Sequence, residues 1–258
     1  DSVCKMIDEL MDVKDTMVNL QDLKSNDQYT FSHSVNVCVL SLITGISMGY
    51  EEEKLRELGI GAMMHDVGKI RVPSEILNKP GSLTEEEFTI VKKHTNYGYE
   101  LLKKSKVLST YASYIALTHH ERYDGEGYPL GLRGEEIHEF SRIVSVADVY
   151  DAITSDRVYK KRVNINEAVE YLIGMGDHQF DYNIVRNFIE HITIYPPGTC
   201  VLLNSGEKAI VVDVNKKYPN RPIVRILVDG EGQIPAELIE VDLTKNNTLL
   251  IKEVIDDM

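Results

Sequence analysis

Histidine and aspartate side chains recur near the predicted ends of helical segments. These residues are His33, His65, Asp66, His94, His119, His120 and Asp148. Five imidazoles and two carboxylates suit a mid-row transition metal, because such ions accept mixed nitrogen and oxygen ligands. So many ligands favour two ions that share a bridging carboxylate over a single ion. A lone histidine is more often an ordinary hydrogen-bonded residue, which is how we interpret His138, His178 and His191.

The segment "GAMMHDVGKI" places the pair His65-Asp66 at the end of an apolar helix. An ionised aspartate is rarely buried without a partner, and beside a histidine that partner is best read as a divalent metal. The alternative is a helix C-cap, in which Gly68 ends the helix and Lys69 offsets its dipole. That alternative accounts for Gly68 and Lys69 but not for the His-Asp pair.

The segment "IALTHHERYDGEGYPLG" places two adjacent histidines at the end of another apolar helix. Adjacent residues on a helix diverge by about 100°. At a frayed helix end, however, the rings of His119 and His120 can still turn toward one ion. A loop rich in glycine and acidic residues follows at once, and it ends in a proline.

The strings "HDVGK" and "HHERYDGEGYP" together resemble the HD-GYP subgroup of the HD phosphohydrolase superfamily. The similarity runs from Phe31 to Tyr159, half of the chain. It includes "HSVNV", "HDVGKIRVP", "HHERYDGEGYPLGLRGEEI" and "VADVYDAITSDRVYK". A lone HD dipeptide is weak evidence, whereas the second string, placed between that dipeptide and Asp148, is specific. The resemblance implies an all-α, metal-dependent phosphodiesterase that opens cyclic di-GMP.

The resemblance also implies two metal positions. The first would take His33, His65, Asp66 and Asp148. The second would take Asp66, His94, His119 and His120. Asp66 would therefore bridge two divalent ions, for which we expect Fe or Mn. Lys69 would approach the bridging hydroxide or the scissile phosphate, so Asp66 and Lys69 are the predicted catalytic residues for conversion of cyclic di-GMP to linear pGpG.

Three further residues are predicted to bind substrate together with Lys69. By the same resemblance, Arg157 and Lys160 would hold phosphate oxygens. The alternative for these two residues is a solvated basic cluster, "RVYKKR", which the residues alone would favour. Tyr128 is predicted to pack beside a guanine or to shape the pocket.

The loop after the paired histidines has residues suited to a tight, close-fitting backbone. Gly125 and Gly127 permit positive φ and close backbone approach, and Pro129 stiffens the turn. We expect Glu121 and Asp124 to accept hydrogen bonds from the ligand imidazoles and so to orient them. Simple loop structure accounts for these two acids equally well.

One position departs from the family pattern. Some members bind a third metal through a glutamate one helical turn before the first histidine, where this chain has Tyr29. Phenol is a poor ligand for this role, so we expect two metals. A further consequence is that conversion of pGpG to GMP should be limited.

The charge balance excludes several classes of partner. The net charge is −13, from 28 basic and 41 acidic residues, which argues against a DNA, RNA or membrane-surface binder. A small anionic ligand remains compatible, because a local metal can reverse the field in one cleft.

Cys4, Cys38 and Cys200 include no CxxC pair, which fits a reducing cytoplasm rather than a disulfide framework. The chain begins without Met, so an upstream sensor, receiver or membrane segment is compatible with it.

Periodicity predicts a helical domain with a small all-β C-terminal appendage, and the resemblance implies that the helical domain is all-α and of the HD type. Helices are expected near 33–48, 51–65, 108–119, 138–155 and 181–191. Two further helices should begin at the Thr84–Glu87 capping box, which would open the helix carrying His94, and at the Asn164–Glu167 cap. The predicted divisions are an N-terminal helix or linker at 1–28, the catalytic domain at 29–194 and a β-rich subdomain at 195–258. The N-terminal helix has an apolar stripe that could form a homodimer.

Three other functions compete with the cyclic di-GMP phosphodiesterase. The chain could hydrolyse another cyclic dinucleotide, or a nucleotide monophosphate, which the GYP loop disfavours. It could instead be a receptor that holds a cyclic dinucleotide without turnover. A purely structural metal is the third alternative, and the excess of ligands speaks against it.

Overall fold

The structure is a computed structural model that describes residues 29–104, 109–155, 163–192, 194–215 and 218–255. The predicted N-terminal helix at 1–28 lies outside these residues, as do Arg157 and Lys160. The described residues form two compact units, one reaching to Phe188 and the other beginning at Ile189.

The first unit is built from helices. Its α-helices are α1 (Tyr29–Ser47), α2 (Glu52–Met64), α3 (Ser74–Leu77), α4 (Glu85–Lys92), α5 (His94–Lys103), α6 (Thr110–Thr118), α7 (Glu139–Thr154), α8 (Ile165–Gly174) and α9 (Tyr182–Ile189). Two short 3-10 helices are η1 (Val67–Arg71) and η2 (Gly134–Glu136). Among the described residues, no helix is long and apolar enough to cross a lipid bilayer.

The local capping signals place two helix starts where the sequence predicts them. At the start of α4, the Thr84 hydroxyl accepts a hydrogen bond from the Glu87 N–H, and the Glu87 carboxylate accepts one from the Thr84 N–H. At the start of α8, the Asn164 side chain accepts a hydrogen bond from the Glu167 N–H. These contacts satisfy N–H groups that a helix start otherwise leaves unpaired.

One predicted helix is wrong in its extent. The helix that opens at the Thr84 capping box ends at Lys92 and does not carry His94. His94 instead begins α5, after a break at Lys93. The reason is tertiary: Gly68 packs directly on the backbone of this junction, where an added Cβ would lie 1.9 Å from the His94 carbonyl oxygen.

The core of the helical unit lies where α1 packs against α2 and α7. Leu42, Leu55, Leu58 and Ile143 are fully buried there. Cys38 is also fully buried and donates its S–H to the Gly59 carbonyl, as expected of a small packed side chain. The apolar contacts around α7 hold a helix that also carries polar side chains into the interior.

The second unit is a five-stranded antiparallel sheet. Its strands are β1 (Cys200–Leu203), β2 (Lys208–Asp213), β3 (Ile223–Val228), β4 (Ile239–Asp242) and β5 (Ile251–Val254), in the spatial order β4-β3-β2-β1-β5. Residues alternate in burial along β1, β2 and β3, so one face carries the apolar core. The predicted fold class, a helical domain with a small β appendage, is confirmed.

Candidate metal centre

The first predicted ligand, His33, projects from α1 toward two carboxylates. Its Nε2 atom lies 3.1 Å from Asp148 Oδ1 and 3.8 Å from Asp66 Oδ2. Asp148 stands on α7, more than a hundred positions along the chain from His33. The packing of α1 on α7 therefore creates this contact.

The HD pair occupies the turn between α2 and η1. His65 ends α2, and Asp66 begins η1. Just after this pair, Gly68 lies directly against the backbone of α5. A Cβ added at Gly68 would collide with the His94 carbonyl oxygen and would lie 2.4 Å from Gly98 N. Only glycine permits this approach, which brings the HD turn against the start of α5. Gly68 is therefore required for this packing, and ending a helix is not its only role.

The remaining imidazoles arrive from α5 and from the end of α6. His94 Nε2 lies 3.4 Å from Asp66 Oδ1 and 3.5 Å from His119 Nε2. His119 Nε2 lies 3.8 Å from Asp66 Oδ1. His120 turns its Nδ1 toward Asp148 Oδ2, at 4.0 Å. The paired histidines therefore face the same cluster.

The seven predicted ligands form overlapping groups with metal-binding geometry. One group is Asp66, His94, His119 and His120, a second is His33, His65 and Asp66, and a third is His65, His119 and Asp148. Within each group the ligand atoms lie within 4.8 Å of one another. Asp66 belongs to both of the first two groups, which is the position a bridging carboxylate requires.

Two buried atoms indicate that these residues fit metal ions. In the described part of the chain, His65 Nε2 and Asp66 Oδ1 are buried and make no hydrogen bond. Leaving such atoms unpaired costs about 1–3 kcal/mol each, so native proteins rarely tolerate them. A cation between them would satisfy both, and imidazole with carboxylate is a donor set that divalent transition metals accept.

The electrostatic surroundings keep three of the imidazoles neutral. Burial lowers the pKa of His94, of His119 and of His120, the last to about 4. A neutral imidazole keeps the lone pair that a metal requires. His33 differs, because hydrogen bonds to Asp148 and Asp151 outweigh burial and raise its pKa to about 9. Burial of Asp66 and Asp148 acts to raise their pKa values. The neighbouring histidines outweigh it and hold both pKa values below the usual range.

Lys69 and Tyr128 border the cluster on its outside. The Lys69 ammonium donates a hydrogen bond to Asp66 Oδ2. The Tyr128 ring stacks on His120, with ring centroids 4.9 Å apart and an interplanar angle of 28°. Tyr128 also contacts Phe88 and the Lys92 ammonium, which the sequence did not single out. Tyr128 thus forms part of the wall beside His120.

Comparison with known proteins places this cluster in a family. Residues 14–184 match the family model of the HD domain. The chain belongs to the HD domain family. Residues 200–258 match the model of the KOW domain associated with HD domain. The membership that the sequence motifs predict is therefore confirmed.

Several relatives of this HD domain protein carry names that state an activity. The chain is 39% identical over 227 residues to cyclic di-GMP phosphodiesterase PA4108 of Pseudomonas aeruginosa, covering 88% of this chain and 55% of that protein. It is 34% identical to cyclic di-GMP phosphodiesterase PdeB of Borreliella burgdorferi, covering 90% of this chain and 62% of that protein. It is also 36% identical to 3'3'-cGAMP-specific phosphodiesterase 1 of Vibrio cholerae, covering 70% and 42%. The chain thus spans about half to three fifths of the length of the first two relatives.

A solved structure supports the fold. Bd1817, a HDG"Y"P protein from Bdellovibrio bacteriovorus, superposes with a TM-score of 0.61 at 23% identity, over 73% of this chain and 60% of that chain. This likeness concerns the arrangement of the HD helices.

The loop of the HD domain that follows the paired histidines is held by its own acids. Glu121 is buried, and its two carboxylate oxygens accept the N–H groups of Leu130 and Leu132 at 2.7 and 3.0 Å. Asp124 accepts hydrogen bonds from Arg122 and from the Glu126 N–H. The hydrogen bonds of Glu121 and Asp124 in the described part of the chain thus run within the loop and not to ligand imidazoles. This arrangement matches the loop-structure alternative.

The glycines of this loop take the two roles expected of them. Gly125 has φ +85°, a left-handed conformation that side chains disfavour. A Cβ on Gly127 would lie 2.3 Å from Arg122 N and 2.5 Å from Glu121 Cα. The first glycine therefore turns the chain, and the second lets the loop lie against the segment after His120.

Sequence reasoning missed two polar residues beside His33. Asp151 Oδ2 lies 2.7 Å from His33 Nδ1, and Asn36 donates a hydrogen bond to Asp151 Oδ1 at 2.8 Å. Both follow a predicted ligand by three positions on the same helix, Asn36 after His33 and Asp151 after Asp148. That spacing places each on the face of its ligand and could have revealed them.

Two parts of the sequence prediction lie outside the described side chains. Arg157 and Lys160 are in an undescribed segment, so their phosphate-binding role stays a prediction. Tyr29 begins α1, four positions before His33, and its side chain is outside the description. The predicted absence of a third metal stays a prediction as well.

Proposed function

We propose that this chain is a metal-dependent phosphodiesterase that hydrolyses cyclic di-GMP to linear pGpG. The observation that carries the proposal is the position of Asp66 in two adjoining ligand groups, with one carboxylate oxygen buried and unpaired. A carboxylate so placed suits a centre of two cations around one phosphodiester. Relatives named cyclic di-GMP phosphodiesterase give the substrate class.

The proposed ligand sets follow the two positions defined from the sequence. The first position comprises His33, His65, Asp66 and Asp148, and the second comprises Asp66, His94, His119 and His120. When bound, two Fe or Mn ions would supply Lewis-acid charge and lower the pKa of a water for attack on phosphorus. The protein's part is to keep the imidazoles of His94, His119 and His120 neutral and to aim the ligand atoms at the centre.

Residues around the ions would bind the phosphate and exclude water. Lys69, already beside Asp66, places a positive charge where phosphate oxygens would gather. Arg157 and Lys160 are proposed to hold further phosphate oxygens. Tyr128 would act as a wall, since its ring is stacked on His120. Water forms one new phosphorus–oxygen bond as the bond to the 3′-oxygen breaks. The 3′-oxygen leaves with a proton that the water supplies.

Two other functions stay as alternatives. A relative named as specific for 3'3'-cGAMP supports a different cyclic dinucleotide as the second candidate substrate. A receptor without turnover is the other alternative, and the presence of every predicted ligand in the cluster argues against it. A cytoplasmic location, a homodimer and an upstream sensor or receiver domain are further proposals.

The deciding experiment is anaerobic incubation of Fe(II)-loaded and Mn(II)-loaded protein with cyclic di-GMP, followed by chromatography. Accumulation of pGpG with little GMP is the expected result. Prompt formation of GMP would keep the reaction class but refute the consequence drawn from Tyr29. Bound metal and bound nucleotide without any product would replace the enzyme with the receptor. Parallel reactions with 3'3'-cGAMP would rank the two substrates.

A further inference from the structure

The imidazoles of the metal centre are not held in the same way. Three of them place Nδ1 against backbone carbonyls: His65 on Ala62 O at 2.6 Å, His94 on Val91 O at 2.7 Å, and His119 on Ile115 O and Ala116 O at 3.1 Å. A carbonyl only accepts, so Nδ1 donates and Nε2 is free for a metal. His33 differs because its Nδ1 faces a carboxylate, Asp151 Oδ2, at 2.7 Å.

The Asp151 carboxylate is itself held in place. The residue is 3% exposed, and its other oxygen accepts hydrogen bonds from Asn36 at 2.8 Å and from Ser155 at 3.2 Å. Asn36 stands on α1 with His33, and Asp151 stands on α7 with Asp148. The packing of two helices therefore fixes both the imidazole and the carboxylate behind it.

This arrangement divides the negative charge unequally between the two metal positions. The first position has Asp148 and the shared Asp66, with Asp151 directly behind His33. The second has three imidazoles and the shared Asp66. Asp148 Oδ2 lies 4.0 Å from His120, whereas Asp148 Oδ1 lies 3.1 Å from His33 of the first position. Lys69 contacts Asp66 Oδ2, the oxygen that faces His33. It therefore offsets part of the negative charge at the first position, where Asp148 and Asp151 still remain. A carboxylate behind a ligand imidazole raises its basicity and strengthens its bond to a metal.

We propose that Asp151 is a positioning residue that makes the first metal position the tighter one, so that this position fills before the second. The ion held there acts as the resident metal, and the second ion exchanges more readily. This inference rests on the proposed function only in requiring that divalent cations occupy the cluster.

The test is a calorimetric titration of metal-free protein with Mn(II), without any nucleotide. The wild-type protein should bind two ions in separate steps. The Asp151→Asn variant keeps the shape of the side chain but removes its charge, and it should weaken the tighter step by roughly 10–100-fold. The weaker step should keep its wild-type affinity. Equal weakening of both steps, or no weakening, would overturn the proposal.

A matched control separates this effect from general loss of a buried acid. Asp181 is also buried, and it pairs with Arg142 rather than with a metal ligand. Asp181→Asn should lower thermal stability without changing either Mn(II) step. If it weakens the tighter step as much as Asp151→Asn does, the special role of Asp151 is refuted.

Electron paramagnetic resonance gives a readout that a merely structural role would not move. With one equivalent of Mn(II), wild-type protein should show isolated ions, and spin coupling should appear only with the second equivalent. In Asp151→Asn the ions should spread over both positions, so coupled pairs appear earlier. A spectrum identical to wild type at each equivalent contradicts the proposal.

A second variant keeps the test decisive if Asp151→Asn does not fold. Asn36→Ala leaves the carboxylate but removes one of the two hydrogen bonds to its Oδ1, so it should weaken the same step by a smaller factor. An unchanged titration would overturn the proposal.

The result of this test can be told apart from the result of the test of the proposed function. Stepwise binding of Mn(II) without hydrolysis leaves this inference standing. Hydrolysis together with a wild-type titration in Asp151→Asn removes only this inference.

Discussion

The two compact units bury different kinds of side chain. Every buried charged or imidazole residue of the described segments lies in the helical unit: His33, His65, Asp66, His94, His119, Glu121, Asp148, Asp151 and Asp181. The interior of the β unit is built from Val201, Leu203, Ala209, Val211, Val224, Ile226 and Leu243. Burying charge costs several kcal/mol unless it is paired, whereas burying these apolar groups is favourable. The comparison locates the chemistry in the helical unit and leaves the β unit with an ordinary core.

The largest expected effect follows removal of the shared carboxylate. Asp66→Ala should abolish the two-metal centre and lower turnover by at least on the order of 10³-fold, equivalent to about 4 kcal/mol of transition-state stabilisation. Metal content by mass spectrometry and turnover of cyclic di-GMP are measured together. Full turnover in this variant would remove the bridging role of Asp66.

A smaller but still large effect is expected at Gly68. In Gly68→Ala the new methyl group meets the His94 carbonyl at 1.9 Å, so the HD turn must move away from α5. We expect the second metal position to weaken by roughly a hundredfold, or about 3 kcal/mol. Mn(II) titration measures the change.

Gly174 offers a matched control for this substitution. It also lies in a helix, and nothing stands within 4 Å of its added Cβ. Gly174→Ala should leave both Mn(II) affinities unchanged and alter stability by less than about 1 kcal/mol. Equal effects of the two alanines would mean that Gly68 does not set the approach of the HD turn.

A moderate effect is expected from the loop after His120. Glu121→Ala leaves the N–H groups of Leu130 and Leu132 without their acceptors, at a cost of about 1–3 kcal/mol. The loop should loosen around Tyr128, which should raise KM for cyclic di-GMP by about tenfold, a change of about 1.4 kcal/mol. Metal content should be retained. Loss of metal in Glu121→Ala would show that Glu121 supports the ligands. Asp124 is more exposed than Glu121, so Asp124→Asn should change KM less.

The smallest effect on the metal centre is expected from the β unit. Leu203 is 1% exposed, and Leu203→Ala should destabilise the sheet by about 2–5 kcal/mol. Both Mn(II) affinities should stay at wild-type values, because no candidate ligand of the described residues lies in this unit. Thermal melting followed by circular dichroism, together with the titration, checks this. A parallel loss of metal would end the separation of roles between the units.

Local features of both units could be predicted from the sequence. The caps at Thr84 and Asn164 form as predicted, because each depends on residues within one helical turn. Alternating β-branched residues predicted the sheet. The ligand types were also readable, since histidine and aspartate recur together at the predicted helix ends and mid-row transition metals bind both.

Other features were beyond local patterns. His94 was expected inside a helix but begins one, because Gly68 packs on that junction from a distant turn. For Glu121 the sequence left two roles open, orienting the imidazoles or simple loop structure, and its oxygens reach the backbone of Leu130 and Leu132. In each case the outcome depends on which backbone lies nearest in space, and sequence spacing does not specify that.

The sequence by itself determined which ligands are available, where the helices capped by Thr84 and Asn164 begin and that an apolar sheet follows a polar-centred helical domain. Only the tertiary structure decided that His33 and Asp148 meet, that Asp66 lies between two groups of imidazoles and that Asp151 supports His33. The physical reason is that caps and periodicity arise from neighbours along the chain. The direction of a ligand atom is set instead by the packing of α1 on α7 and of α5 on the HD turn.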